Sequence, residues 1–172
     1  RGKCQQVRMD DPDVTRLPIP TSWPQDGGPF MTLPLVVTSD PETGVHNLGM
    51  YRSQVFGPDE VGLHWQKHKH GADHAEASDD RMPVAICLGG PPQVIFSAIS
   101  PLPDNLSEYE FAGLLSGRRL KITKCLTNDL WVPADCDFVI EGYTIPSEKR
   151  IEGPFGDHFG HYSLEDEYPV LH

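Results

Sequence analysis

The sequence is poor in the features that mark several large protein classes. Its four cysteines, Cys4, Cys87, Cys125 and Cys136, form no CxxC pair, so neither a zinc ribbon nor a disulfide framework follows. Cys87 and Cys125 sit among apolar, strand-like neighbours, where a buried reduced thiol is the ordinary reading. Basic residues are scarce: 14 Lys and Arg against 25 Asp and Glu leave a formal charge of -11, and the cations are scattered. Such a chain repels a phosphate backbone, which argues against nucleic acid as a partner and for small ligands. Long hydrophobic runs are missing too. The longest, Pro83 to Leu88 and Val94 to Ile99, fall far short of the ~20 residues that a bilayer-spanning helix needs. With no charged-then-apolar leader in view, the expectation is a soluble, cytoplasmic protein without a membrane span.

What is present points to a β-rich domain. The 172 residues, 38% of them hydrophobic, suffice to bury one core, and 16 Gly with 17 Pro imply short strands and many turns. The chain opens on Arg1 rather than Met, so the expectation is a piece of a longer enzyme. Residues 1–30 read as a surface lead-in ending in the turn-rich run Pro24 to Pro29. Met31 to Thr38 and His46 to Phe56 read as strands about the turn signal Asp40-Pro-Glu-Thr-Gly44. A helix is expected from His64 to Ala77, a buried strand from Met82 to Leu88, and a short helix from Gln93 to Ile99 after Gly89-Gly-Pro-Pro92. Ser107 followed by Glu110 is a capping-box pattern, and Gly117 closes that helix. Leu120 to Leu126, Leu130 to Val132 and Phe138 to Ile145 complete a mixed α+β, mostly antiparallel, barrel-like sheet with peripheral helices.

Several residues could carry chemistry. Asn47, His68 and Glu108 offer an amide carbonyl, an imidazole and a carboxylate, a donor set for a hard divalent ion such as Mn2+ or Mg2+. They lie far apart in sequence, and spacing alone does not join them. Glu108 has a plainer role in the first turn of a helix, where its charge favours the dipole. The run His64, His68, His70 and His74 includes i, i+4 relations found on metal-binding helices, but it lacks the HExxH glutamate, and solvated histidines beside Lys67 and Lys69 are the default reading. Glu152 and Asp157 bracket a Gly-Pro-Phe-Gly segment that needs special backbone angles and could aim two carboxylates at one cavity. If Arg52 faces them, its guanidinium can grip a substrate carboxylate and tune the proton affinity of Glu152. The alternative is a tight turn with solvated acids and a surface arginine.

Together these segments resemble the UbiD family of reversible decarboxylases over about Leu17 to Tyr162. The resemblance is carried by Asp40-Pro-Glu-Thr-Gly44, Asn47-Leu-Gly-Met-Tyr-Arg52, His64-Trp-Gln-Lys-His68, Pro101-Leu-Pro103 with Ser107-Glu108, Thr127-Asn-Asp-Leu-Trp-Val-Pro-Ala134, and Glu152-Gly-Pro-Phe-Gly-Asp157. It implies that residues 31–162 form a split β-barrel of flavin-reductase type, with 1–30 leading in and 163–172 running toward a C-terminal domain that closes the site and makes a homo-oligomer. It implies that Asn47, Leu48, Gly49, Met50, Tyr51, Arg52, Lys67, His68 and Glu108 surround prenylated FMN, and that Asn47, His68 and Glu108 hold Mn2+ or Mg2+, with K+ as an optional further ion. A flavin prenyltransferase would supply the cofactor. Arg52, Glu152 and Asp157 match the catalytic trio: an aromatic or α,β-unsaturated acid would bond to the modified flavin ring, carbon dioxide would leave, Glu152 would protonate the product, and Asp157 would pair with Arg52. A rival from another class is a noncatalytic flavin-binding module.

Overall fold

The computed structural model describes residues 1–65, 81–103 and 106–172. Its strands are β1 Phe30–Met31, β2 Leu35–Ser39, β3 His46–Met50, β4 Ser53–Val55, β5 Val61–Leu63, β6 Met82–Leu88, β7 Ile122–Lys124, β8 Trp131–Pro133, β9 Phe138–Glu152, β10 Phe155–Gly156, β11 Tyr162–Ser163 and β12 Asp166–Leu171, and its helices are α1 Pro92–Ser97 and α2 Glu108–Ser116. Eight strands form one sheet in the order β1-β4-β5-β12-β9-β6-β2-β3, every pair antiparallel. β7 with β8, and β10 with β11, make two small satellites.

The connection from β3 to β4 closes this sheet. β3 is one edge, whereas β4 lies next to the opposite edge, and only Tyr51 and Arg52 join them. Three peptide steps span on the order of 10 Å. The sheet must therefore curl until its two ends nearly meet, which gives a β-rich half-barrel of the expected class. Arg52 sits at the seam.

Alternation along β2 and β6 shows two buried faces. Val36, Val84 and Ile86 pack inside the curl with Leu63, Val61 and Trp65. Leu35, Val37, Ala85 and Cys87 face the other way, onto Val94, Ala112, Leu130 and Val132 from the helices and the β7–β8 pair. Strands covered on both sides read as continuous apolar runs. All four cysteines are free thiols; Cys87 and Cys125 are buried, as the sequence implied, and so is Cys136. Burial, then the Glu141 carboxylate, pushes the Cys125 thiol up to about 12.

The hairpin forms as expected: Leu35 pairs with Met50 and Ser39 with His46. The Asp40 carboxylate accepts from the amides of Glu42 at 2.8 Å and Thr43 at 2.9 Å, and Gly44 takes φ 70°. The strand expected from His46 to Phe56 breaks at Tyr51–Arg52, where the chain crosses the seam. The capping box of α2 is reciprocal, with both Ser107–Glu110 bonds at 3.2 Å and Gly117 left-handed at φ 64°. Beyond Trp65, the helix expected over 64–77 lies outside the described residues. Two further differences are informative. β9 runs on to Glu152, past Pro146 and the polar run Ser147 to Arg150, because β12 pairs along that half. Residues 163–172, expected to lead outward, contain β12, an interior strand between β5 and β9. Among the described residues no helix is long and apolar enough to cross a membrane.

Candidate active site

Glu152 ends β9 with its side chain fully buried, and Arg52, 100 positions earlier, meets it across the seam. Arg52 Nε donates to Glu152 Oε1 at 2.8 Å and one terminal nitrogen donates to Oε2 at 3.0 Å, a bidentate pair. The same nitrogen donates to Ser163 Oγ at 3.0 Å, and the guanidinium lies 4.5 Å over the Phe155 ring. His64, just after β5, adds Nδ1 at 3.2 Å from Glu152 Oε2. Tyr168 of β12 stacks on that imidazole with ring centroids 4.2 Å apart, and its hydroxyl reaches Nε2 at 3.5 Å. Burial pushes the Glu152 carboxyl upward. Hydrogen bonds from His64 and Arg52, with the arginine charge, outweigh that and hold it below the ordinary glutamate range.

The loop after Glu152 is built around close backbone approaches. Gly153 has φ 104°, and its amide donates to Gln54 Oε1 at 2.8 Å. The lead-in segment backs the loop: Gly27 N donates to Pro154 O at 2.8 Å, and Asp26 Oδ1 accepts from Gly156 N at 2.7 Å. A Cβ on Gly27 would stand 2.0 Å from Gly153 O, so glycine is required there. Asp157 lies past this clamp with its side chain 34% exposed, 2.5 Å from His158 Nδ1 and 3.3 Å from Phe159 N. The structure thus gives the partnership with Arg52 to Glu152. Glu152 is the residue that the strand end delivers to the seam, whereas Asp157 is carried beyond it by the turn.

Asn47, Leu48, Gly49 and Met50 lie on β3, the sheet edge, whose outer backbone has no strand partner among the described residues. Tyr51 folds back over Gly49, where a Cβ would be 2.5 Å from its ring. Glu108, first residue of α2, reaches the edge strand: its Oε2 accepts from Leu48 N at 3.3 Å. Asn47 is buried beside it, with an amide nitrogen that has no hydrogen-bond partner among the described residues. The Glu108 carboxylate and the Asn47 amide oxygen are donors that a hard cation takes, and the orphaned Asn47 amide N–H would suit an anionic oxygen such as a phosphate's. Lys67 and His68 lie outside the described residues, and among the described ones no group of three or more His, Cys, Asp or Glu converges as a metal cage.

Sequence reasoning did not reach Ser163, Tyr168 and Gln54, or the role of His64 beside Glu152. No local pattern marks them, because each acts across the sheet.

The family described as "3-octaprenyl-4-hydroxybenzoate carboxy-lyase Rift-related domain" matches residues 1–172. An uncharacterized protein of Archaeoglobus fulgidus is 46% identical over the whole chain, which covers 36% of that protein. Among solved structures, the closed form of vanillic acid decarboxylase from Sedimentibacter hydroxybenzoicus superposes with a TM-score of 0.93 at 35% identity, covering 99% of this chain and 38% of that one. An evolved dimeric form of the UbiD-class enzyme HmfF from Pelotomaculum thermopropionicum, in complex with prFMN, gives 0.88 at 32% identity, covering 96% and 39%. The chain thus spans well under half the length of these relatives.

Proposed function

The chain belongs to the UbiD family of carboxy-lyases, and on that footing we propose that it supplies the cofactor edge and the acid pair of a decarboxylase for an aromatic or α,β-unsaturated carboxylic acid. The observation that carries this reading is the buried bidentate Arg52–Glu152 pair at the seam, beside the edge strand that bears Asn47. Asn47 and Glu108, with His68, would hold Mn2+ or Mg2+ and the phosphate of prenylated FMN along β3. That flavin, when bound, supplies the electron sink that lets a carboxylate leave as carbon dioxide.

The chain's own residues do the rest. Arg52 presents a planar fork that matches a carboxylate. A substrate carboxylate in the cleft competes with Glu152 for it. Once Arg52 turns to the substrate, burial is no longer offset by that cation, and the proton affinity of Glu152 rises. Glu152 then takes a proton and delivers it to the carbon that carbon dioxide has left. Binding thereby arms the acid, and an idle site keeps it ionised. Phe155 covers the arginine from one face, and Phe30 backs that ring with centroids 4.8 Å apart.

A second reading makes Asp157 the proton donor. The observation in its favour is that Glu152 already takes three donors from Arg52 and His64, whereas Asp157 lies apart from Arg52 with His158 Nδ1 against it. Solvent-deuterium incorporation into product by the protein, reconstituted anaerobically with prenylated FMN and Mn2+, separates the two. Glu152→Gln is expected to abolish incorporation and carbon dioxide release, and Asp157→Asn to lower them only in part. The reverse ranking transfers the role to Asp157, unimpaired turnover in both variants removes the acid role from this pair, and no carbon dioxide release by the unsubstituted protein overturns the decarboxylase reading.

A further inference from the structure

We propose that His64 is the positioning residue of Glu152: it holds the carboxylate in line with Arg52, and Tyr168 in turn fixes the imidazole. The inference rests on the acid role given to Glu152 above. Glu152 can use four lone-pair positions, of which Arg52 takes two and His64 Nδ1 a third at 3.2 Å. An ionised carboxylate only accepts, so Nδ1 carries the proton and Nε2 is left to face the Tyr168 hydroxyl at 3.5 Å. The stack at 4.2 Å, with the planes 33° apart, restrains rotation of the ring.

Each part of the clamp comes from a different element: Arg52 from the β3–β4 link, His64 from the end of β5, Glu152 from the end of β9, and Tyr168 with Asp166 from β12. Ser163 of β11 pins the arginine from the far side at 3.0 Å. Asp166 pairs in register with Glu152, and its charge together with that of Glu152 raises the Tyr168 phenol already pushed up by burial. That phenol stays protonated and serves as a donor. When a substrate carboxylate takes the guanidinium, His64 is the donor that stays on Glu152, and it keeps the acid from swinging out of the seam.

The test reads Glu152 directly. Carbon-13 NMR of labelled glutamate carboxyls, followed across pH in the protein with Glu152→Gln used to identify the resonance, needs neither flavin nor turnover. In His64→Leu the Glu152 carboxyl is expected to titrate at higher pH than in the unsubstituted protein. In His64→Asn, whose amide N–H stands near the place of Nδ1, it returns toward the original value. Under turnover, His64→Leu is expected to lower kcat about tenfold with little change in KM, as losing one hydrogen bond to a charged group does when Arg52 still grips the substrate. An unmoved titration in His64→Leu, or no recovery in His64→Asn, overturns the proposal. Should His64→Leu fail to fold, Tyr168→Phe carries the test: an upward shift supports the clamp and an unmoved one overturns it. If Glu152→Gln leaves turnover intact while His64→Leu still shifts the titration, the acid assignment falls and the positioning role stands.

Discussion

Glu152 keeps its charge in a fully buried place only because Arg52 and His64 surround it with donors. Removing one partner of such a pair leaves an uncompensated buried charge, so Arg52→Leu is expected to cost about 3–5 kcal/mol in urea unfolding at neutral pH. Loss well below 1 kcal/mol would mean that water reaches the pair. The pair also makes stability depend on pH. The folded-state proton affinity of Glu152 lies below its ordinary value of 4.5. Its contribution is therefore complete above that value and drains as pH falls through the folded one. Comparison of the unsubstituted protein with Glu152→Gln by unfolding from pH 7 to 3 should show a stability gap that is constant near neutrality and narrows in acid. A gap independent of pH would place the ion pair's stabilisation elsewhere. Motif reading found Arg52 and Glu152 but gave Asp157, by resemblance, as the arginine's partner, where the structure pairs Arg52 with Glu152. That choice depends on where β9 stops, and the strand's last seven residues before Glu152, Ile145 to Ile151, carry no apolar alternation.

Elements were legible where their ends are chemical. The capping box Ser107–Glu110 and the left-handed Gly117 bound α2 in the structure as they did in the sequence, because side chains there satisfy backbone groups that have no helical partner. This cap also serves the site, since Glu108 is the first residue of α2 and reaches Leu48 N from that position. Ser107→Ala is expected to cost about 1 kcal/mol of stability and to weaken Mn2+ binding, measured by calorimetry, while leaving it detectable. Glu108→Ala should abolish it. Equal binding in both variants and the unsubstituted protein would show that α2 supports the edge strand without holding a metal. Elements were illegible where pairing alone sustains them. The second half of β9 exposes Pro146 through Ile151, and β12 opens on Asp166 and Glu167, so hydrophobic periodicity has nothing to report. Each is a strand because the other supplies its hydrogen bonds.

At the scale of the molecule, the fold and the site are one construction. A two-residue crossing between opposite ends of the sheet forces the curl and plants Arg52 at the closure. Glu152 then arrives on β9, His64 directly after β5 and Tyr168 on β12, three adjacent strands of the same sheet. The lead-in segment braces the loop from behind through Asp26 and Gly27. Residues 163–172 are the sharpest test of this unity, because they read as a departing tail yet provide an interior strand. Val170 and Leu171, both 2% exposed, pair with Gly62 and Val61, and Glu167 pairs with Ile151. Deleting these ten residues would strip hydrogen-bond partners from β5 and β9 together and split the sheet into two parts. The shortened protein is expected to lose its cooperative unfolding transition and its dispersed amide NMR spectrum, even though every sequence motif of the site up to Asp157 is still present. A truncated chain that unfolds at the same urea midpoint would mean that β12 only docks on a sheet already complete. A collapsed one would mean that the acid pair exists because the strand order brings it together.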